Sequence, residues 1–289
     1  MQPRSRQALA PLLAIVVIGI ALAWAGSHGS VDAFGWPLFA VCGAIAFGVN
    51  WLVFVPAFLY QTERYFDLTG SLTYVTLVAT SLLFGTASPR ALLLAALTLL
   101  WASRLGLFLF LRIREEGSDG RFDRLKPDFI RFLMTWTLQG LWVFLTLSCA
   151  LAAMTTSIST PLGVAAAVGT SLWLLGFGIE VTADRQKRQF RREPSNRGRF
   201  ITSGLWAWSR HPNYFGEILL WCGVALIAIP ALRGWQWVTL ISPLFVFILL
   251  TRISGIPLLE GRAKKRWGED PAFRDYTART PELVPRPPR

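Results

Sequence analysis

The sequence predicts an all-α, polytopic membrane protein, a helical bundle of about eight transmembrane helices, on three observations. Hydrophobic residues make up 53% of the 289, with 20 Phe and 13 Trp, too apolar a composition for a chain that folds in water. The apolar residues collect in eight stretches, at 8–25, 34–60, 72–87, 90–111, 132–154, 161–183, 214–232 and 235–254. Each is long enough, or nearly so, to cross a hydrocarbon core of about 30 Å as a helix. Strand alternation is absent, so helices rather than a barrel must satisfy the backbone in lipid.

The net charge of +12 raises the possibility of a nucleic-acid partner, and the charge distribution removes it. With the N-terminus on the cytoplasmic side, 26 of the 29 Lys and Arg fall in cytoplasmic segments. Arg90 and Arg233 fall on the opposite side and Arg104 lies within a stretch. Such a split is the positive-inside pattern of an inner-membrane protein with both termini cytoplasmic. Cys42, Cys149 and Cys222 sit in separate apolar stretches without metal-ligand spacing and read as small buried hydrophobes; no metal is expected. One transmembrane domain over 1–289 is expected, with a cytoplasmic cofactor-binding segment at 184–213 and a cytoplasmic tail at 255–289.

The first stretch follows Arg4 and Arg6 and ends in Ala23-Trp24-Ala25, which also resembles a signal-peptide cleavage site. Its length favours a retained helix, and cleavage would leave seven spans. The second ends in Tyr60-Gln61-Thr62-Glu63-Arg64-Tyr65-Phe66-Asp67-Leu68-Thr69-Gly70-Ser71, a connection with a Gly-Ser turn. It reads either as a loop with interfacial aromatics or as a lid carrying Glu63, Tyr65 or Asp67. Arg104 lies in the middle of the fourth stretch beside Trp101, too deep to snorkel easily, and such arginines usually face a polar cavity. The loop from Arg112 to Arg131, with Gly117, Gly120 and Pro127, reads as a solvated connector. Gln139 in the fifth stretch reads as helix–helix glue.

The sixth stretch runs on through Glu180, Asp184, Lys187, Arg188 and Arg191. At 100° per residue Glu180, Asp184, Lys187 and Arg191 fall within about 60° of one another. One helix face thus passes from carboxylates to cations, either as simple i,i+4 ion pairs or as a nucleotide cradle. In the cradle, carboxylates accept ribose hydroxyls and guanidinium groups, Arg199 among them, hold phosphates. Next comes Ser209-Arg210-His211-Pro212-Asn213-Tyr214-Phe215-Gly216-Glu217, ahead of an apolar helix. Pro212 suits a first helical turn, whose free N–H groups attract phosphate. Asn213 and Glu217 share one face of that helix. After the eighth stretch, Leu258 to Gly268 reads as a short basic helix lying on anionic lipid, followed by a Pro-rich tail.

Taken together, these segments resemble the steroid 5-alpha-reductase-like membrane enzymes, most closely their uncharacterised bacterial branch (DUF1295-like). The resemblance covers roughly 50–289. It rests on Glu180-x3-Asp184-x6-Arg191, Arg199-Phe200-Ile201-x2-Gly204-Leu205, Ser209 to Glu217, and the tail with Trp267-Gly268 and Tyr276. It implies an NADPH-dependent oxidoreductase that delivers hydride to a C=C bond conjugated to a carbonyl in a hydrophobic lipid-like or steroid-like substrate. The cofactor-binding candidates are Glu180, Asp184, Lys187, Arg188, Arg191, Arg199, His211, Asn213, Tyr214 and Glu217, and Arg104 would reach the cofactor from the fourth helix. Glu180 stands where the family often has Asn.

In the steroid enzymes a Glu and a Tyr polarise the substrate carbonyl, and those positions align here with Phe54 and Trp101. Hydride addition to an enone develops oxyanion charge that a donor must meet. Glu63, Tyr65 and Tyr74 are the candidates for that donor, and with Arg104 they make up the candidate catalytic set. A methyltransferase using S-adenosylmethionine on a lipid or lipidated thiol is the alternative. It accounts for Arg210-His211-Pro212 and for a pocket near Glu260, but its cofactor gives an arginine cluster no phosphates to hold. A transporter or membrane scaffold is the third reading, since Arg104, Glu180 and Glu217 are polar at membrane depth.

Overall fold

A computed structural model describes residues 3–116, 120 and 122–288. Eight of its helical segments are long and apolar enough to cross a membrane, in agreement with the sequence expectation. The only strands among the described residues are Asp32–Ala33 (β1) and Trp36–Pro37 (β2). They form a two-stranded hairpin that turns at Phe34 and Gly35, both with φ near 60–80° (58° and 78°), the twist a two-residue hairpin requires. Gly117, within the expected solvated connector, lies outside the described residues.

The chain divides into two compact units, residues 1–166 with 227–242, and residues 167–226 with 243–289. In the first, helix α5 (Phe129–Thr155) is the buried axis. Around it pack α1 (Pro3–Gly26), α2 (Leu38–Leu59), α3 (Phe66–Phe84) and α4 (Pro89–Glu116). Asp128 caps α5, its carboxylate accepting the Arg131 N–H at 3.2 Å. Gly140 lets α2 close in on α5, because a Cβ there would lie 2.9 Å from the Ala46 carbonyl oxygen.

Helix α3 begins six residues earlier than the expected third span. The Gly70-Ser71 pair, expected as a turn, lies inside it, because Gly70 is where the Gln139 side chain comes up against the helix. Gln139 donates to the Phe66 carbonyl at 2.7 Å, which makes it the interhelical link expected of it. Arg90 is not a loop charge but a fully enclosed clamp, 2% exposed. Its guanidinium donates to Thr160 Oγ1 at 2.8 Å, to the Pro161 carbonyl at 2.6 Å and to the Ile227 carbonyl. Arg90→Met would strand the buried Ile227 carbonyl and free the part-buried Thr160 and Pro161 acceptors, and should cost about 1–3 kcal/mol. A melting temperature in detergent equal to that of the wild type would rule out this clamp.

In the second unit, α6 (Val164–Arg192) and α7 (Pro212–Ala228) cross at contact distance. A Cβ on Gly216 would lie 2.5 Å from the Gly176 carbonyl oxygen and 2.8 Å from the Glu180 nitrogen. One on Gly223 would lie 2.5 Å from the Gly169 carbonyl oxygen. Cys222, expected buried, is exposed, because the neighbouring Gly223 turns the other side of α7 toward α6. The expected eighth span is not a uniform α-helix. It runs as a 3-10 segment (Gly234–Leu240), α8 (Ile241–Ile248) and a π-turn (Leu249–Ile253). The chain then breaks at Ser254-Gly255 into α9 (Ile256–Trp267) and α10 (Pro271–Arg279), capped by Asp270 through the Ala272 N–H at 2.9 Å.

Candidate functional site

The Glu180–Arg191 face lies on one uninterrupted helix, as expected, and the segment that follows folds back onto it. Gly204 makes the reversal with φ of +62°. The Leu205 N–H then donates to Gln186 Oε1 at 2.9 Å, and Trp206 Nε1 donates to the Ala183 carbonyl at 3.0 Å. Lys187 Nζ sits 4.4 Å above the Trp206 ring, a cation–π contact that holds its charge near the fold-back. The C-terminal tail straps the same loop. The Arg210 N–H donates to the Pro281 carbonyl and the Arg286 N–H to the Trp208 carbonyl, both at 2.9 Å. Ser209 Oγ donates to the Leu283 carbonyl at 2.8 Å and accepts the His211 N–H at 3.1 Å, fixing the entrance to α7. One turn inward, Asn213 Nδ2 donates to Asp184 Oδ1 at 3.2 Å.

Beside these supports, and lined in part by Lys187, Trp206, Arg210 and His211, lies a cavity of about 300 Å³. Of the expected cofactor residues, Lys187, Arg191, Arg199 and His211 line it. Asp184 and Asn213 meet each other on α6 and α7, and the Tyr214 ring stacks on His211 (5.7 Å between centroids, 10°). Glu180 is buried where the Gly216 backbone touches it. Glu180, Asp184, Arg188, Asn213, Tyr214 and Glu217 are not among the lining residues.

The sequence reading missed the contribution of α9 and α10. Arg262 and Arg266 from α9, with Arg210 from the loop, bring the cations of the cavity to six. Phe200 forms an aromatic wall with Trp267, Phe273 and Tyr276, at centroid distances of 5.7, 5.1 and 5.7 Å. The signal was present: Leu259, Ala263, Arg266 and the neighbouring Glu260 and Arg262 recur at helical spacing, so α9 has an inward face. Glu260 Oε2 accepts Arg210 NH1 at 2.8 Å, and Oε1 lies 2.9 Å from His211 Nε2. Burial holds the Tyr276 phenol above its usual range, so its O–H stays protonated and donates to the Trp206 carbonyl at 2.7 Å.

The catalytic candidates lie in the first unit. Glu63 is buried and bound by Lys126 Nζ at 2.7 Å, a contact that raises the Lys126 ammonium above its usual range. Tyr65 is 49% exposed just ahead of α3. Tyr74 is 5% exposed and meets Trp101 edge-on at 5.2 Å. Arg104 is half-buried, one turn beyond Trp101 on α4. Phe54 is locked among Phe58, Phe129 and Phe132, so that position is wholly apolar. Close by, Asn50 is fully buried and donates to Thr73 Oγ1 at 3.3 Å, so the α2–α3 contact carries polar groups at bundle depth.

A multi-pass helical membrane protein with a basic, aromatic-walled cavity is the class these features define. The chain belongs to the family described as "Protein of unknown function (DUF1295)", whose model matches residues 53–280. It is 29% identical over 118 residues to 3-oxo-5-alpha-steroid 4-dehydrogenase 1 of Rattus norvegicus, covering 40% of each chain. Against the Bos taurus protein of that name it is 35% identical over 69 residues, 24% of this chain and 26% of that one. An uncharacterized protein of Schizosaccharomyces pombe, C594.04c, is 24% identical over 233 residues, 70% of this chain and 65% of its own. The expected kinship with steroid 5-alpha-reductase-like proteins therefore holds at the level of a membrane reductase-like family. The chain spans about a quarter to two fifths of the length of these two dehydrogenases. No solved structure matches it.

Proposed function

We propose that this protein is an NADPH-dependent reductase of a bacterial inner membrane, with its termini and its basic cavity on the cytoplasmic side. The observation that carries the reading is the cavity itself, where six cations converge beside a wall of four aromatic rings. Guanidinium groups suit phosphates, and aromatic faces suit a purine or nicotinamide ring. The Asp184–Asn213 pair adds an acceptor for ribose hydroxyls at the first turn of α7. NADPH would bring phosphates, ribose hydroxyls and hydride. This chain's residues would bind and orient it.

The substrate in this reading is a hydrophobic molecule with a C=C bond conjugated to a carbonyl, admitted from the lipid. Of the three candidate acids we assign Tyr74. Lys126 stabilises Glu63 as a carboxylate, which has no proton to give, and Tyr65 is half-exposed where water competes. Tyr74 offers a phenol inside the bundle, against the Trp101 ring. The methyltransferase reading loses support because both Glu260 oxygens are engaged by Arg210 and His211.

The test is thermal stabilisation of the detergent-purified protein by NADPH, NADH and S-adenosylmethionine. A ligand at 100 times its dissociation constant should add about 2.7 kcal/mol. Stabilisation by NADPH supports the proposal; stabilisation by S-adenosylmethionine alone overturns it.

A further inference from the structure

The cavity holds one imidazole and one carboxylate among its cations, and their arrangement has a consequence for pH. His211 is 5% exposed, and its Nδ1 has no hydrogen-bond partner. Its Nε2 faces Glu260, whose other oxygen is held by Arg210. The charged groups around it come from every adjoining element. Helix α6 brings Lys187 and Arg191, the connecting loop brings Arg199 and Arg210, and α9 brings Arg262 and Arg266. Helix α10 contributes only the neutral Tyr276 phenol.

We propose that binding of a phosphate-bearing ligand in this cavity takes up one proton at His211, with Glu260 as the positioning residue that holds the resulting imidazolium. This rests on the nucleotide reading only for the ligand's identity. In the empty cavity a seventh positive charge among six cations is disfavoured, and a buried Nδ1–H would have no acceptor. The neutral ring keeps its N–H on Nε2, donated to Glu260, and leaves Nδ1 as a lone pair. A ligand carrying two or more negative charges offsets the cations. A solvent proton then adds to Nδ1, with an oxygen of the bound ligand as the acceptor the empty cavity lacks, and Glu260 stays a carboxylate facing the new charge. Because the bound form holds the extra proton, affinity must fall as pH rises through the range where imidazole changes charge, about pH 5 to 8.

The experiment is titration calorimetry of the full chain with NADP⁺ at pH 6.5, in two buffers of different ionisation heat, repeated across pH 5.5 to 7. The wild type should take up as much as one proton per NADP⁺ and lose up to tenfold in affinity per pH unit. Burial draws the Lys187 ammonium down to about 8, so Lys187 too can gain charge beside an anion above pH 7. At pH 6.5, where Lys187 is already charged, His211→Asn should take up almost nothing beyond the ligand's own titration. Glu260→Gln keeps the imidazole without its partner and should reduce the uptake. If His211→Asn does not fold, that second comparison decides. Uptake unchanged in either variant would overturn the coupling. Sulfate, which does not titrate here, separates this inference from the nucleotide reading. If sulfate raises the melting temperature of the wild type more at pH 6 than at pH 8, and more than it does for His211→Asn, while NADP⁺ does nothing, the coupling stands and the nucleotide falls. Silence from both ligands overturns both.

Discussion

Tyr74→Phe should lower turnover of an enone substrate by about 10²- to 10⁴-fold, the range over which a positioned general acid acts. The same variant should keep its thermal stabilisation by NADPH, because Tyr74 lies in the first unit and the basic cavity in the second. The substitution removes one oxygen and keeps the ring. The edge-on contact with Trp101 at 5.2 Å therefore survives, and a loss of turnover cannot be assigned to a collapsed core. The requirement behind the prediction is chemical. Hydride arriving at the β-carbon leaves negative charge on the carbonyl oxygen, and an apolar bundle offers nothing to meet it unless a side chain does. Phe54 has no polar atom, and the Trp101 indole can donate a hydrogen bond but gives up no proton. Single-turnover oxidation of NADPH against a panel of enone steroids and enoyl lipids measures the effect. A Tyr74→Phe protein as fast as the wild type would remove Tyr74 from the mechanism.

Gly216→Val should abolish nucleotide binding while the first unit still folds. The valine Cβ would fall 2.5 Å from the Gly176 carbonyl oxygen and 2.8 Å from the Glu180 nitrogen. Both neighbours are helix backbone, which cannot step aside as a flexible side chain could. The two helices must part or slide, and overpacking of this kind costs about 1–3 kcal/mol or more. The Asn213–Asp184 bond at 3.2 Å sits one turn away and does not survive such a shift. Gly176→Val, which strikes Gly216 and Leu220 from the other side, should reproduce the loss. Either variant binding NADPH with wild-type affinity would show that the crossing does not set the site.

The glycines show how unevenly such features can be read from the residues. Gly70-Ser71 has the composition of a turn and lies inside a helix, because Gln139 needs the space a side chain would fill. Gly176 lies in an apolar run and Gly216 inside the Ser209–Glu217 motif, and neither is marked locally as a point of close approach, since a close crossing depends on which faces meet. Arg90 was readable only as an outer-face charge, and its three acceptors come from positions about 70 and 137 residues away in sequence. The basic run of α9 was legible as a surface helix for the same reason: charge alone does not say whether a helix face meets lipid headgroups or a cavity.

The eight spans, the helix carrying Glu180 to Arg191 and the start of α7 at Pro212 were determined by the sequence itself. Apolar length, helical period and the fixed φ of proline are local properties, legible without knowing what packs against what. Only the tertiary structure decided that α9 and α10 wall the cavity, that Glu260 is shared by Arg210 and His211, and that Tyr74 lies against Trp101. Those contacts join residues tens of positions apart, and their existence follows from the crossing of helices whose close-approach faces no local pattern records.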